Sequence, residues 1–145
     1  AALGASDAHG TLGEELDLVE RYLQIERLRL GDRLRIEMDV ATLPQEFPIP
    51  RLLLQPLIEN AVYHGIQPRA DGGVLSMHGR CVADGIEIVI ANPLAETSTS
   101  TRNGVALANV RARIGYHFGA RGELRVESGP ENFSVTVFLP QMPIA

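Results

Sequence analysis

Lysine is absent from this chain, and all thirteen of its basic residues are arginine. That excludes a P-loop, whose lysine reaches the nucleotide phosphates, and it excludes Schiff-base chemistry on a lysine. Cysteine occurs once, as Cys81, which excludes an internal disulfide and a multi-cysteine zinc site and is compatible with a reduced cytoplasmic setting. Positive charge is in short supply: the net charge of −5 argues against a general nucleic-acid binder. No apolar run reaches membrane-spanning length, no signal-peptide pattern is visible, and no internal repeat is found. What is present is an ordinary globular balance, 45% hydrophobic and 21% charged, in 145 residues. That length suits one domain with a proper core.

Hydrophobic spacing divides the chain into elements. Residues 1–11 are small and polar and are expected to be mobile. Leu12, Leu16, Val19, Leu23 and Leu30 then recur at coiled-coil-like spacing, which predicts a long helix over 12–30. Leu18, Tyr22 and Ile25 form a second apolar line. It either widens the buried face, the expected case, or meets a partner helix. Gly31-Asp32 ends the helix. Leu34, Ile36, Met38 and Val40 alternate with Arg35, Glu37 and Asp39, the pattern of a half-buried strand. Pro44, Pro48 and Pro50 mark a connector.

Strands are predicted over 74–81 and 86–91, joined at Asp84-Gly85, a strong hairpin signal. His78 and Cys81 are read as strand residues with no metal role. Residues 94–103, with their Ser/Thr run, have no apolar pattern and read as a loose segment. Gly104 is expected to open a helix carrying Val105, Leu107, Val110 and Ile114, with Arg111 and Arg113 on a solvated face. Strands over 123–128 and 133–139 follow, with Gly129-Pro130 and Asn132 between them. This order predicts an α+β fold: a two-layer α/β sandwich whose mixed, mainly antiparallel sheet has helices on one face.

The polar chemistry concentrates at 52–65. Leu53, Leu54, Leu57, Ile58, Ala61 and Val62 recur as one buried helical face. Pro50 suits a first turn, whereas Pro56 predicts either a distortion or a helix that begins near it. Gly65 is expected as the C-terminal cap. Glu59, Asn60 and His64 interrupt the apolar run, and Asn60 and His64 share a face. From the local pattern alone, a solvated stripe with a satisfied, half-buried asparagine fits these residues as well as a binding site does.

The residues themselves carry more than the pattern. Leu54-Gln55-Pro56-Leu57-Ile58-Glu59-Asn60-Ala61, followed by His64-Gly65, resembles the N box of sensor histidine kinases. More narrowly it resembles the LytS-like subfamily, within the gyrase, heat-shock chaperone, histidine kinase and MutL ATPase superfamily. Glu14-Glu15-Leu16, Tyr22-Leu23-Gln24-Ile25-Glu26 and Gly31-Asp32-Arg33-Leu34 resemble the segment leading into that ATPase domain. The stretch 104–114 resembles its second glycine box, so the likeness covers residues 12–139.

The resemblance implies a Bergerat-type ATPase fold over 31–145, preceded by a mobile N-terminus and connecting helix over 1–30. It implies an ATP-binding catalytic domain that uses Mg²⁺. The γ-phosphoryl group would go to a histidine on a dimerisation domain, and a response regulator would take it from there. It also implies a cytoplasmic domain of an inner-membrane sensor that is membrane-anchored and homodimeric. His9 lacks the aromatic-rich context the family places after its phosphoacceptor, so this chain is not expected to phosphorylate itself.

Site roles follow by resemblance too. Asn60 would supply an oxygen to Mg²⁺, and Glu59 would polarise the attacking group or help hold the metal. His64 would contact phosphate or brace the helix end. Backbone amides of Asn103, Gly104, Val105, Ala106 and Leu107 would hold phosphate, and Asn92 would read adenine. Three departures stand out: the first glycine box is reduced to Asn92-Pro93, Ala106 replaces a common glycine, and Tyr63 stands where lysine is frequent. They motivate a second hypothesis, a degenerate domain acting as a protein-interaction module. A third, an anti-sigma kinase of the same superfamily, fits the long leading helix less well.

Overall fold

Helix α1, Leu12–Leu30, starts where its sequence says it should. The Thr11 hydroxyl accepts the Glu14 N–H, and the Glu14 carboxylate accepts the Thr11 N–H, closing a capping box. Gly31, at φ 62, ends the helix in a backbone conformation that suits glycine. The computed structural model describes residues 9–94 and 100–141.

The predicted order of elements is observed: α1, β2 (Leu34–Asp39), α2 (Gln55–Ala61), β4 (Gly73–Val82), β5 (Gly85–Pro93), α3 (Ser100–Phe118), β6 (Glu123–Ser128) and β7 (Asn132–Pro140). Two short strands, β1 (His9–Thr11) and β3 (Pro48–Pro50), add an antiparallel pair of their own. Residues 9–11 are therefore a strand, not part of a loose tail. Among the described residues the main sheet has the order β2-β4-β5-β7-β6. β2 pairs parallel with β4, and every other pairing in this sheet is antiparallel. The sheet is therefore mixed and mainly antiparallel, as the hairpin signals predict.

Alternation along β5 sets the layers. Ile86, Ile88, Ile90 and Asn92 are buried, and the residues between them are half-buried. The inward isoleucines join one core with Leu16, Val19 and Leu23 of α1, Leu57 and Ile58 of α2, and Val110 and Ile114 of α3. Only the first apolar line of α1 is buried. Leu18 and Ile25 are exposed and Tyr22 is half-buried, so the wide buried face is not formed.

One of the two alternatives for Pro56 is observed, and two other local expectations are corrected. The helix of 52–65 begins at Gln55 with Pro56 in its first turn, where a missing N–H costs nothing. It does not end at Gly65 but passes into a π-turn, Val62–Ile66. α3 begins at Ser100, a turn ahead of Gly104. Arg111 is exposed, as expected, and Arg113 is half-buried; Arg111 donates to the Leu124 carbonyl, and Arg113 to those of Leu52 and Arg51. Of the segment expected to be loose, 94–103, residues 95–99 lie outside the described residues and 100–103 belong to α3.

One interaction sets where α2 starts. Its N-cap residue, Leu54, has no side-chain acceptor. Glu15 of α1, only 2% exposed, supplies one. Its carboxylate accepts the N–H groups of Leu52 at 2.9 Å, Leu54 at 3.0 Å and Gln55 at 3.2 Å. These are donors a helix start leaves orphaned, and a negative charge there also suits the helix dipole. Glu15→Ala would leave buried N–H groups unpaired. We expect a loss of about 3 kcal/mol in urea unfolding, with Glu15→Gln losing less because it keeps an acceptor. An unchanged midpoint in Glu15→Ala would show that the turn finds other partners.

Candidate functional site

The sequence 56–64 lays its polar groups along one side of α2 and the turn after it. Pro56, Glu59, Asn60, Tyr63 and His64 recur at three- and four-residue spacing, and together they form one wall of a cleft of about 390 Å³. Ala106 of α3 and Tyr22 of α1 form the facing walls. A cleft of this size falls within the range of small-molecule sites. Glu59 is held in place by Gln55, whose Nε2 donates to Glu59 Oε2 at 3.1 Å. Asn60 and His64 are buried, at 8% and 7% exposure, whereas Tyr63 is exposed and its ring meets that of His64 edge-on at 5.0 Å. Burial, with the carboxylates of Glu26 and Glu59 nearby, pushes the Tyr22 phenol up to about 12, so it stays a protonated donor at neutral pH.

The fold brings together Glu59, Asn60, His64 and Ala106 of the residues singled out by sequence. It does not bring Asn92 to the cleft wall. Asn92 is buried at the end of β5 and packed against Gly65, and its Nδ2 donates to the Pro93 carbonyl at 2.9 Å. Gly104 and Val105 are exposed and Leu107 is buried, and all three lie inside α3 with Asn103. Their amides therefore fall past the helix start, where N–H groups bond within the helix and not to a ligand.

His9 does not line this cleft. Its ring meets His117 of α3 edge-on at 5.0 Å. Burial first, then the nearby charges of His9 and Arg113, holds His117 below the usual histidine range.

Sequence reasoning missed Tyr22 as a cleft residue and Glu15 as the group that caps α2. Both had a signal. Tyr22 and Glu26 lie one turn apart on a helix already tied to the N box by resemblance. Glu15 falls on the apolar side of α1, between Leu12 and Val19 at helical spacing, where a solvated charge has no place.

A divalent ion fits the wall as a hard cation with oxygen partners. Glu59 and Asn60 both line the cleft and bring a carboxylate and a side-chain carbonyl, a sparse set of the kind Mg²⁺ takes while keeping waters. Among the described residues no group of three or more His, Cys, Asp or Glu could hold a metal. A larger groove, about 470 Å³, runs beside α1 and is lined by Leu18, Arg21, Arg51 and Leu52 among others. It contains none of the sequence-selected residues, and acidic and basic side chains share its rim, so we assign the chemistry to the smaller cleft.

The π-turn depends on Gly65. A Cβ there would lie 2.2 Å from Asn92 Nδ2 and 2.8 Å from Asn92 Cγ. Gly65→Ala should therefore cost roughly 2 kcal/mol by overpacking, and Asn92→Ala in the same chain should recover part of the loss. Additive unfolding free energies for the two changes would disprove the contact.

No protein-family model matches the chain. It is 32% identical over 126 residues to the sensor histidine kinase YesM of Bacillus subtilis, covering 83% of this chain and 22% of YesM. It is 29% identical over 150 residues to the sensor protein LytS of Streptococcus agalactiae, covering 94% of this chain and 26% of LytS. The chain spans less than half the length of the curated relatives it matches. In structure it is similar to the nucleotide-free catalytic domain of histidine kinase ThkA, with TM-score 0.66 and 15% identity, covering 93% of this chain and 97% of that one. It is also similar to ThkA in complex with the response regulator TrrA, with TM-score 0.61 and 14% identity, covering 92% and 41%. At such identities the structural likeness establishes the fold, while the sequence likeness runs to sensor kinases. Together they show a chain that is similar to sensor histidine kinases, LytS among them, in sequence and to histidine kinase catalytic domains in fold.

Proposed function

We propose that this domain binds Mg-ATP in the cleft between α1, α2 and α3. It would present the γ-phosphoryl group to a histidine on a separate dimerisation domain of the same kinase. A response regulator would then receive the phosphoryl group, a partnership for which ThkA with TrrA is the structural precedent. The observation that carries the proposal is the cleft wall itself: Glu59, Asn60 and His64, three polar groups on an otherwise apolar segment, face Ala106 across it.

In this reading Asn60 offers its side-chain oxygen to the metal, and Glu59, steadied by Gln55, supplies a second oxygen or polarises the incoming histidine. When bound, Mg²⁺ neutralises charge on the phosphates during transfer. The rest of the work is positioning. Buried His64 braces the π-turn and lies within reach of an anionic ligand on the same wall. Asn92, expected from the resemblance to read adenine, lies behind Gly65 and outside the cleft wall, so no contact to the base is assigned to it. Among the described residues no helix is long and apolar enough to cross a membrane. We place the domain on the cytoplasmic side of a membrane-anchored, homodimeric sensor, as the resemblance to sensor kinases implies.

One observation favours the degenerate-module reading. The amides of 104–107 lie inside α3 and offer phosphate no helix start. Nucleotide binding then requires the first turn of α3 to open. A thermal-shift titration separates the two readings, because a ligand that binds only the folded state raises its stability.

Calorimetry should show Mg-ATP binding to the parent and a loss of at least about tenfold in Asn60→Ala. Without Mg²⁺ the two proteins should bind ATP equally weakly. Equal Mg-ATP affinity in parent and Asn60→Ala would remove Asn60 from the metal site, and no binding to the parent would favour the interaction module.

A further inference from the structure

The turn that launches α2 is gripped from two sides. From α1, the Glu15 carboxylate takes the N–H groups of Leu52, Leu54 and Gln55. From α3, Arg113 donates through Nη1 to the Leu52 carbonyl at 2.8 Å and through Nη2 to the Arg51 carbonyl at 2.6 Å. Between the grips Leu52 sits at φ 58, a left-handed conformation that a branched side chain seldom adopts. An anion on the N–H side and a cation on the carbonyl side thus hold one strained backbone state.

Each grip lies two helical turns from a cleft wall. Glu15 precedes Tyr22 by seven residues on α1, and Ala106 precedes Arg113 by seven on α3. α2, which grows out of the turn, carries Glu59 and Asn60. Neither Glu15 nor Arg113 lines the cleft. The three helices that wall the cleft are therefore tied to each other through five residues of backbone, 51–55.

We infer that Glu15 and Arg113 are positioning residues for nucleotide binding, and that the gripped turn passes nucleotide occupancy from α3 to α1. A ligand that draws α3 toward α2 shifts Arg113, and the turn transmits that shift to Glu15 and its helix. This inference rests on the proposed ATP site. Arg111 provides the internal control: it lies on the same helix and also donates to a backbone carbonyl, but that carbonyl belongs to Leu124 in the sheet.

The test compares the parent with Arg113→Ala, Arg113→Lys and Arg111→Ala, by amide hydrogen exchange and by Mg-ATP calorimetry. All are measured well below the unfolding temperature of the least stable variant. Without nucleotide, Arg113→Ala should speed exchange at Leu52, Leu54 and Gln55 by about tenfold or more, and Arg111→Ala should not. Arg113→Ala should weaken Mg-ATP binding by about tenfold, with Arg113→Lys recovering part through a single bond to one carbonyl. Saturating Mg-ATP should slow exchange along α1 in the parent, and Arg113→Ala should lose that slowing even when saturated. The inference is overturned if Arg113→Ala and Arg111→Ala behave alike in exchange and affinity. A parent that binds no Mg-ATP overturns the proposed function instead. Exchange without nucleotide then still decides the grip: it stands if Arg113→Ala alone frees the turn and falls if it does not.

Discussion

A buried carboxylate at the start of the N-box helix is the constraint on which the rest of this domain depends. Burying a charge is costly unless hydrogen bonds replace its lost water, and Glu15 has three backbone N–H groups in that role. In return, a helix of only seven residues gains the cap that its own N-cap residue cannot provide. Such a short helix is marginal by itself, so its position has to come from tertiary contacts. With the start of α2 fixed, Glu59 and Asn60 are fixed one turn later, and the cleft between the three helices takes its shape.

The far end of the same segment is fixed by a close approach. The π-turn carries the chain from Ala61 to Gln67 with Gly65 pressed onto the Asn92 side chain. π-turns recur at functional sites because the extra residue per turn redirects the side chains around it. Here the turn ties the N box to the strand end where the resemblance puts the adenine reader. The two ends of the polar wall are thus held by different physics: one by charge-assisted hydrogen bonds, the other by steric fit.

Local signals made much of this fold legible in advance. The seam of Leu12, Leu16, Val19, Leu23 and Leu30, the alternation along β2 and the Asp84-Gly85 turn each act within a few residues of themselves, and each is found as expected. What escaped depends on partners distant in sequence. Glu15 meets its donors thirty-seven to forty residues away, and Arg113 meets its acceptors sixty-one and sixty-two residues away. β1 and β3 are three residues each, two of them proline in β3, too short for periodicity to register. Gly65 looked like a cap because glycine serves both at caps and at close contacts, and only the position of Asn92 distinguishes them. At the site, the one-sided placement of Asn60 and His64 was legible. The register of α3 was not, since nothing before Gly104 has an apolar pattern.

The central claim is that the cleft between α1, α2 and α3, and not the larger groove beside α1, receives Mg-ATP. Backbone amide chemical shifts of the isotope-labelled chain, recorded while Mg-ATP is added, test it most directly. The account predicts that the largest shifts fall at Tyr22, Glu59, Asn60, Tyr63, His64 and Ala106, with smaller ones at Leu18 and Arg21. Shifts concentrated at Leu18, Arg21 and Arg51, or none at millimolar nucleotide, would contradict it.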